Sequence, residues 1–432
     1  MMIQDIAAYA LEELLRAGAD KASCTVARSR KEEFNIEANE FSLMRTLFDD
    51  SLRLKALCGG RKGVMAINKL DRDSIAQAVN DCIDLAKSAS PDDAEDIAGK
   101  TENKTFDQTI GGADMDRLFL RSKECLEQIR DEFPKIELSA LISDFNNVQS
   151  AYVNSNGVEF GRNREYYSMG TTFSAKDGEK SSSMNGYGAN LTKLDSSFTD
   201  LGIHRTLLDE AVRSLDTRML DGKFIGKIIV TPACEDMIWQ TLLDCFLSDS
   251  PLVQGTSRWK DALGSKVADS KLTMRMAPLH PSVVAGERFT GDGYESEDFD
   301  LIRDGVLASF ALSLYGSRKT GNPRAKNTAA SNIEVAAGDT PLADIIKSVD
   351  RGILLNRFSG GSPGPSGDVS GVAKNSFLIE NGVVTDALSE SMLSFNILDI
   401  LADIPAISSE ICTNGINALP WCCFGGVTIS GK

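Results

Sequence analysis

Two histidines, His204 and His280, are all that the 432 residues supply. They lie far apart, and His280 stands in Leu-His-Pro, which predicts a turn or strand end. A site needing two or three imidazole ligands has almost nothing to draw on. A serine triad would need one of the same two histidines, and neither stands near a Gly-x-Ser-x-Gly elbow. No Gly-x-Gly-x-x-Gly opens a helix after a strand, and no Gly-Lys-Ser/Thr phosphate loop occurs. The nine cysteines are scattered, with only Cys422-Cys423 adjacent and no Cys-x-x-Cys, which predicts reduced, mostly buried thiols. Asp292, Glu295, Glu297, Asp298 and Asp300 could meet a hard cation, but their spacing fits no calcium loop and predicts an acidic exposed loop. Residues 315–324 form the one locally basic, Gly-containing segment. They could grip a carboxylate or phosphate, or simply be solvated. Residues 359–382 open as a Gly- and Pro-rich loop and run into the apolar strand Phe377-Leu378-Ile379. They close on the hairpin turn Glu380-Asn381-Gly382. A loop this permissive beside a strand lets another backbone approach closely.

The elements that must position these residues follow from length and periodicity. At this length two or more domains are expected. Apolar residues make up 42% and charged residues 25%, enough for ample core. A net charge of -16 argues against a general basic surface for nucleic acid or anionic membrane. No apolar run reaches membrane-span length, and residues 1–16 carry Asp5, Glu12 and Glu13 instead of a signal-peptide core. These features predict a cytoplasmic protein.

Residues 3–16 show helical spacing of Ile3, Ile6, Ala10 and Leu14, with Gly18 as a stop. Strands are expected at 22–28, 33–37, 52–57 and 64–67, with Gly59-Gly60 turning between the last two. Asp71 or Asp73 caps a second helix at 74–89, a polar connection fills 91–112, and a third helix spans 114–131. From 136 to 191 the period becomes two. Turn signals at Asn146-Asn147, Asn156-Gly157 and Asp177-Gly178 predict an antiparallel meander. A fourth helix, about 201–215, leads to a boundary near Gly222. After the strand 224–230, Pro232 opens a helix whose buried face is Met237, Ile238, Leu242, Leu243 and Phe246. Strands then dominate, with helices at 342–350 and 392–401. The expected class is α+β: a mixed α/β domain over 1–220, then a mainly antiparallel-β domain over 221–432.

Several segments now combine. Gly18-Ala19-Asp20, residues 54–63 and the Ala-rich helix after them come first. Residues 299–307, 317–324, Ser331-Asn332, Gly367-Asp368-Val369-Ser370-Gly371 and Glu380-Asn381-Gly382 follow in order. Over nearly its whole length the chain resembles the TldD/PmbA family. Its members are called modulators of DNA gyrase and are linked to peptide maturation and proteolysis. The TldD kind of subunit carries His-Glu-x-x-x-His on a helix plus a later cysteine and is similar to a metallopeptidase. There histidines hold the metal and a carboxylate activates water. Pro232 before the helix and Thr256-Ser257 after it fix the register, so Gln240-Thr241-Leu242-Leu243-Asp244-Cys245 falls at the motif. Gln240 replaces the first histidine, Thr241 the glutamate and Cys245 the second histidine, while Cys412 matches the late cysteine. Cys245 and Cys412 suit a soft metal only if they converge.

The resemblance implies the TldE/PmbA kind, with no metal, no cofactor and no catalytic residue of its own. It implies a heterodimer with a TldD-like metallopeptidase subunit and a groove that holds unfolded peptide. Gly367, Asp368, Ser370 and Gly371 are the expected groove wall, together with Asn332. Arg318 and Arg324 would orient peptide carboxylates. The alternative is a homodimer that regulates a target such as gyrase. Ala387, where the family commonly has proline, and Trp421-Cys422-Cys423-Phe424 depart from the family pattern.

Overall fold

The computed structural model describes residues 2–361 and 363–431. In the first half, helix α1 (Ile3–Arg16) precedes β1 (Lys21–Glu37), β2 (Glu40–Cys58), β3 (Arg61–Ile67) and α2 (Arg72–Ser88). Then come β4 (Lys104–Gln108), α3 (Met115–Glu132), β5 (Ile136–Asn154), β6 (Glu159–Asp177), the short β7 (Lys180–Ser181), β8 (Asn185–Leu191) and α4 (His204–Arg213). The strands form one sheet in the order β3-β2-β1-β5-β6-β4, with β7 and β8 also on β6. The helices cover one face of it. Ile3, Ile6 and Leu14 of α1 and Ile75, Val79 and Ile83 of α2 bury against Val26, Leu52 and Leu54. Leu118, Leu126 and Ile129 of α3 and Leu207 and Leu208 of α4 bury against Phe34, Phe145 and Phe173. In each helix the buried positions recur at i, i+3 and i+4 spacing, the apolar stripe that a sheet-covering helix needs.

Two strands expected from the sequence are longer than their apolar patterns. β1 runs unbroken through residues 28–33, five of them charged, because β2 and β5 pair with it on both sides. Its charges are met laterally: Arg28 Nε lies 2.7 Å from Asp50, and Arg45 Nε lies 2.6 Å from Glu33. The expected turn at Asn146-Asn147 is inside β5, where Asn147 Nδ2 donates to Glu165 at 2.8 Å. The polar connection 91–112 contains β4, parallel to β6.

The second half is built on a larger sheet. It comprises β9 (Thr217–Arg218), β10 (Lys223–Val230), α5 (Asp236–Leu242), α6 (Asp249–Val253), β11 (Met274–Met276), β12 (Phe299–Arg303), β13 (Val306–Leu307), α7 (Leu314–Thr320) and β14 (Ile333–Val335). α8 (Leu342–Lys347), β15 (Arg351–Leu355), β16 (Arg357–Gly360), β17 (Asp368–Lys374), β18 (Phe377–Glu380) and β19 (Val383–Leu388) follow. β20 (Ser391–Asn396), α9 (Ile397–Ala402), β21 (Ala406–Thr413) and β22 (Ala418–Ser430) complete it. β22 is its hub, pairing with β10, β14, β20 and β21. A branch leaves the hub through β20 and β17 and ends at β16. Most pairs are antiparallel, so the α+β class holds. Residues 392–401 are a strand followed by a helix, because Asn396 caps α9 by accepting from Leu398 N at 3.0 Å. No helix among the described residues is long and apolar enough to cross a membrane.

Candidate functional site

The helix after Pro232 is two pieces. α5 ends at Leu242, and Leu243–Leu247 form a π-turn, closed by Ser248 N donating to Leu243 O at 2.9 Å. Ile238, Trp239, Leu242, Leu243, Phe246 and Leu247 are buried in the main core of the second half. Trp239 Nε1 donates to Glu235 at 2.8 Å. The opposite face presents Met237, Gln240, Thr241, Asp244 and Cys245 to a cavity of about 310 Å³. Met237, expected in the core, packs against it partly buried and also lines this cavity. The π-turn matters to that arrangement. In a regular α-helix, residues five apart are turned roughly 140° from each other, and the wider turn closes much of that angle. Gln240 and Cys245 therefore share a wall.

The other wall is Phe358, Gly360, Gly361, Pro363 and Val369. Residues 359–374, expected as a loop, are largely the β16–β17 hairpin, with Gly360 opposite Gly371. A Cβ on either glycine would run into the Phe358 ring, so the pair lets that ring lie flat across the hairpin. Gly367, at φ +82, approaches Phe246 and Ile397 closely. Its carbonyl accepts from Ile397 N at 2.9 Å. Asp368 accepts from Asn396 Nδ2 at 2.9 Å, and that hydrogen bond holds its carboxyl below the usual range. Along β17, Val369 faces the cavity, while Asp368 and Ser370 alternate outward.

Asp244 is the one acidic side chain of this lining, set among the neutral groups of Gln240, Thr241 and Cys245. Gln240 Nε2 donates to Asp244 at 3.0 Å. Cys245 Sγ donates to Pro363 O at 3.5 Å, and burial, then Asp244, push its thiol above the ordinary value. One carboxylate with a protonated thiol, an amide and a hydroxyl does not make the donor set that holds a catalytic zinc. The residues present therefore do not fit the metal that the family resemblance implies for the TldD kind. Cys412 lines a different cavity, of about 140 Å³, with Tyr187, Pro232, Asn414 and Asn417. Burial raises its pKa too. Among the described residues, no group of three or more His, Cys, Asp or Glu could hold a metal ion.

The remaining candidates lie elsewhere. Residues 314–320 are helix α7, not a loop, capped by Ser313 and stopped by Gly321 at φ +76. Arg318 on its last turn is hydrogen-bonded to Asp96, and donates to Asp93 O at 2.8 Å. Lys319 adds an ion pair with Asp92 at 2.9 Å. The basic segment thus meets an acidic loop of the first half. The Arg324 guanidinium sits 3.7 Å over the Tyr294 ring. Asn332 is buried at φ +70 and donates to Ile416 O at 3.0 Å. None of these three lines the 310 Å³ cavity. His204 is fully buried, with Nδ1 on Phe198 O and Nε2 on Thr171 Oγ1, each at 2.9 Å. Burial pushes its pKa down to about 4. His280 Nδ1 accepts from Ser282 N at 3.2 Å in a surface turn. Sequence reasoning missed Phe358 and Pro363. The signal available was an aromatic residue just before the Gly-Gly pair.

Comparison with known proteins agrees with this architecture. Residues 225–431 match the family described as the PmbA/TldA metallopeptidase C-terminal domain. The metalloprotease PmbA of Escherichia coli O157:H7 is 23% identical over 417 residues, covering 92% of this chain and 90% of that one. The PmbA homolog of Haemophilus influenzae, also named a metalloprotease, is 20% identical, covering 95% and 92%. The crystal structure of TldE from Thermococcus kodakarensis superposes with a TM-score of 0.82 at 18% identity, over 99% of this chain and 100% of that one. Residues 225–431 thus belong to the PmbA/TldA metallopeptidase C-terminal domain family, and the chain is similar to PmbA proteins over nine-tenths of its length.

Proposed function

We propose that this chain is a TldE/PmbA-like subunit that holds an extended, unfolded peptide without cutting it. A TldD-like metallopeptidase subunit would supply the hydrolysis. One observation carries the reading: among the described residues, β16 pairs with β17 only, so its outer edge is open beside the cavity that Gln240, Thr241 and Cys245 line. An open strand edge captures a peptide through its main chain and so tolerates many sequences. Phe358 and Val369 offer apolar contact to alternate side chains. Gly360 and Gly361 leave the backbone accessible.

The lack, among the described residues, of a side-chain group that could hold a metal ion suits holding over cutting. Cys245 is protonated and Asp244 is hydrogen-bonded by Gln240, and the wall has no histidine beside that carboxylate to hold a metal and present a water. Gly367 and Asp368 brace the hairpin against α9 and keep the edge in place. On the same reading the chain divides near residue 220 into two domains, with the groove in the second. β9 at Thr217–Arg218 pairs with β19 of the second sheet. Mixing the purified chain with a TldD-like subunit should raise peptidase activity well above that of either alone. No increase, with both proteins folded, would count against the role.

A further inference from the structure

The cavity beside the open edge carries a single carboxylate, that of Asp244. Gln240, one helical turn earlier, holds it through Nε2 at 3.0 Å. That donor is neutral, and no lysine or arginine lines the cavity, so the negative charge is not cancelled there. Residues 357–374 contain two basic side chains, and both are engaged elsewhere. Arg357 is hydrogen-bonded to Met184 O, and Lys374 is ion-paired with Glu390. Asp244 itself is open to solvent, where a cation arriving from outside can meet it. Met237, Phe358, Pro363 and Val369 give the same cavity an apolar surface. A lysine or arginine side chain has the matching profile, an apolar stem that packs on such a surface and a charged end that stays among acceptors. An aromatic ring such as that of Phe358 adds attraction for the same cation.

We propose that this cavity takes a lysine or arginine side chain of the held peptide, with Asp244 as the residue that selects it. The inference rests on the reading of β16 as a peptide-holding edge. Main-chain hydrogen bonds to an edge supply affinity without regard to sequence, and a pocket for one side chain adds the preference. Gln240 Oε1 and Thr241 Oγ1 are further acceptors for the donors of an ammonium or guanidinium group. An acidic side chain in the same place would meet Asp244 with like charge. The net charge of -16 acts in the same direction at longer range, because it draws basic segments toward the chain. A peptide's α-ammonium carries the same charge but has no stem for the apolar wall, so the side chain is the occupant.

Fluorescence anisotropy of the full chain with dye-labelled alanine–serine peptides tests it. The peptides are blocked at both ends and carry one central lysine, norleucine or glutamate. The lysine peptide should bind about fivefold more tightly than the norleucine peptide at low salt, the scale of one partly exposed ion pair, and the glutamate peptide more weakly than either. In molar salt the lysine advantage should shrink toward unity. Asp244→Lys should reverse the order of the lysine and glutamate peptides. Equal binding of lysine and norleucine peptides would overturn the inference while leaving the holding role intact. So would a lysine preference that survives Asp244→Lys, or binding only of peptides with a free N-terminus. No binding by any peptide, blocked or free, would overturn the holding role and this inference together.

Discussion

The thiol of Cys245 points at the carbonyl oxygen of Pro363, 3.5 Å away. That contact joins the helix where the family's metal motif falls to the glycine-rich hairpin, two segments more than a hundred residues apart. It also consumes the one soft donor left at the motif, because a thiol that donates its proton to a carbonyl, in a buried site beside Asp244, stays protonated. The metal positions and the candidate peptide edge are thus one structure with two walls.

The wall is tuned by glycine. Replacing Gly371 by alanine drives a methyl into the Phe358 ring and toward the backbone of Ser359. The expected cost is about 1–3 kcal/mol, the usual range for overpacking. Chemical denaturation should show it. Phe358→Ala in the same background should recover part of the loss, since it removes the obstacle.

Arg318 gives a contrasting result. Its partners, Asp96 and the Asp93 carbonyl, belong to the first half, and its side chain is partly exposed. Arg318→Ala should leave peptide affinity within twofold of wild type and cost at most about 1 kcal/mol of stability, as for a surface pair. A tenfold loss of peptide affinity would return this residue to the groove.

Acid sensitivity follows from His204. Burial lowers its pKa from 6.5 to about 4, so the folded state binds its proton less readily than the unfolded chain does. Stability is present above 6.5 and is lost as pH falls from 6.5 toward 4, by roughly 3 kcal/mol in all. His204→Gln should flatten the stability profile across that window when unfolding is followed at successive pH values.

Glu210 has the opposite sign. Burial raises its pKa from 4.5 to about 7, partly offset by Asn356 Nδ2, which donates to it at 2.7 Å. Its contribution is complete below 4.5 and is lost as pH rises through about 7, again by roughly 3 kcal/mol. Glu210→Gln should be more stable than wild type at pH 8 and no more stable at pH 4. The reverse order would mean that the carboxylate is stabilised by its surroundings.

Most of the architecture was legible because helices and buried strands carry their periods openly. Ile3, Ile6, Ala10 and Leu14 predict α1, and its structure follows that stripe. β1 was not legible in full, because five of residues 28–33 are charged and only lateral pairing makes them strand. β17 was not legible either. Its Gly371 and the facing Gly360 of β16 read as a loop, yet they make room for the Phe358 ring. The motif positions Gln240, Thr241 and Cys245 were found from family resemblance. That they share one wall depends on a π-turn that no sequence period announces. The partners of Arg318, Arg324 and Asn332 were not legible because they lie far away in sequence.

The most direct test of the central claim is amide hydrogen exchange of this chain with and without the oxidised B chain of insulin, an unstructured probe peptide. Capture at the open edge of β16 should slow exchange at residues 357–361, with little change at residues 318–324. Slowed exchange confined to other segments, or none at saturating peptide, would contradict the account.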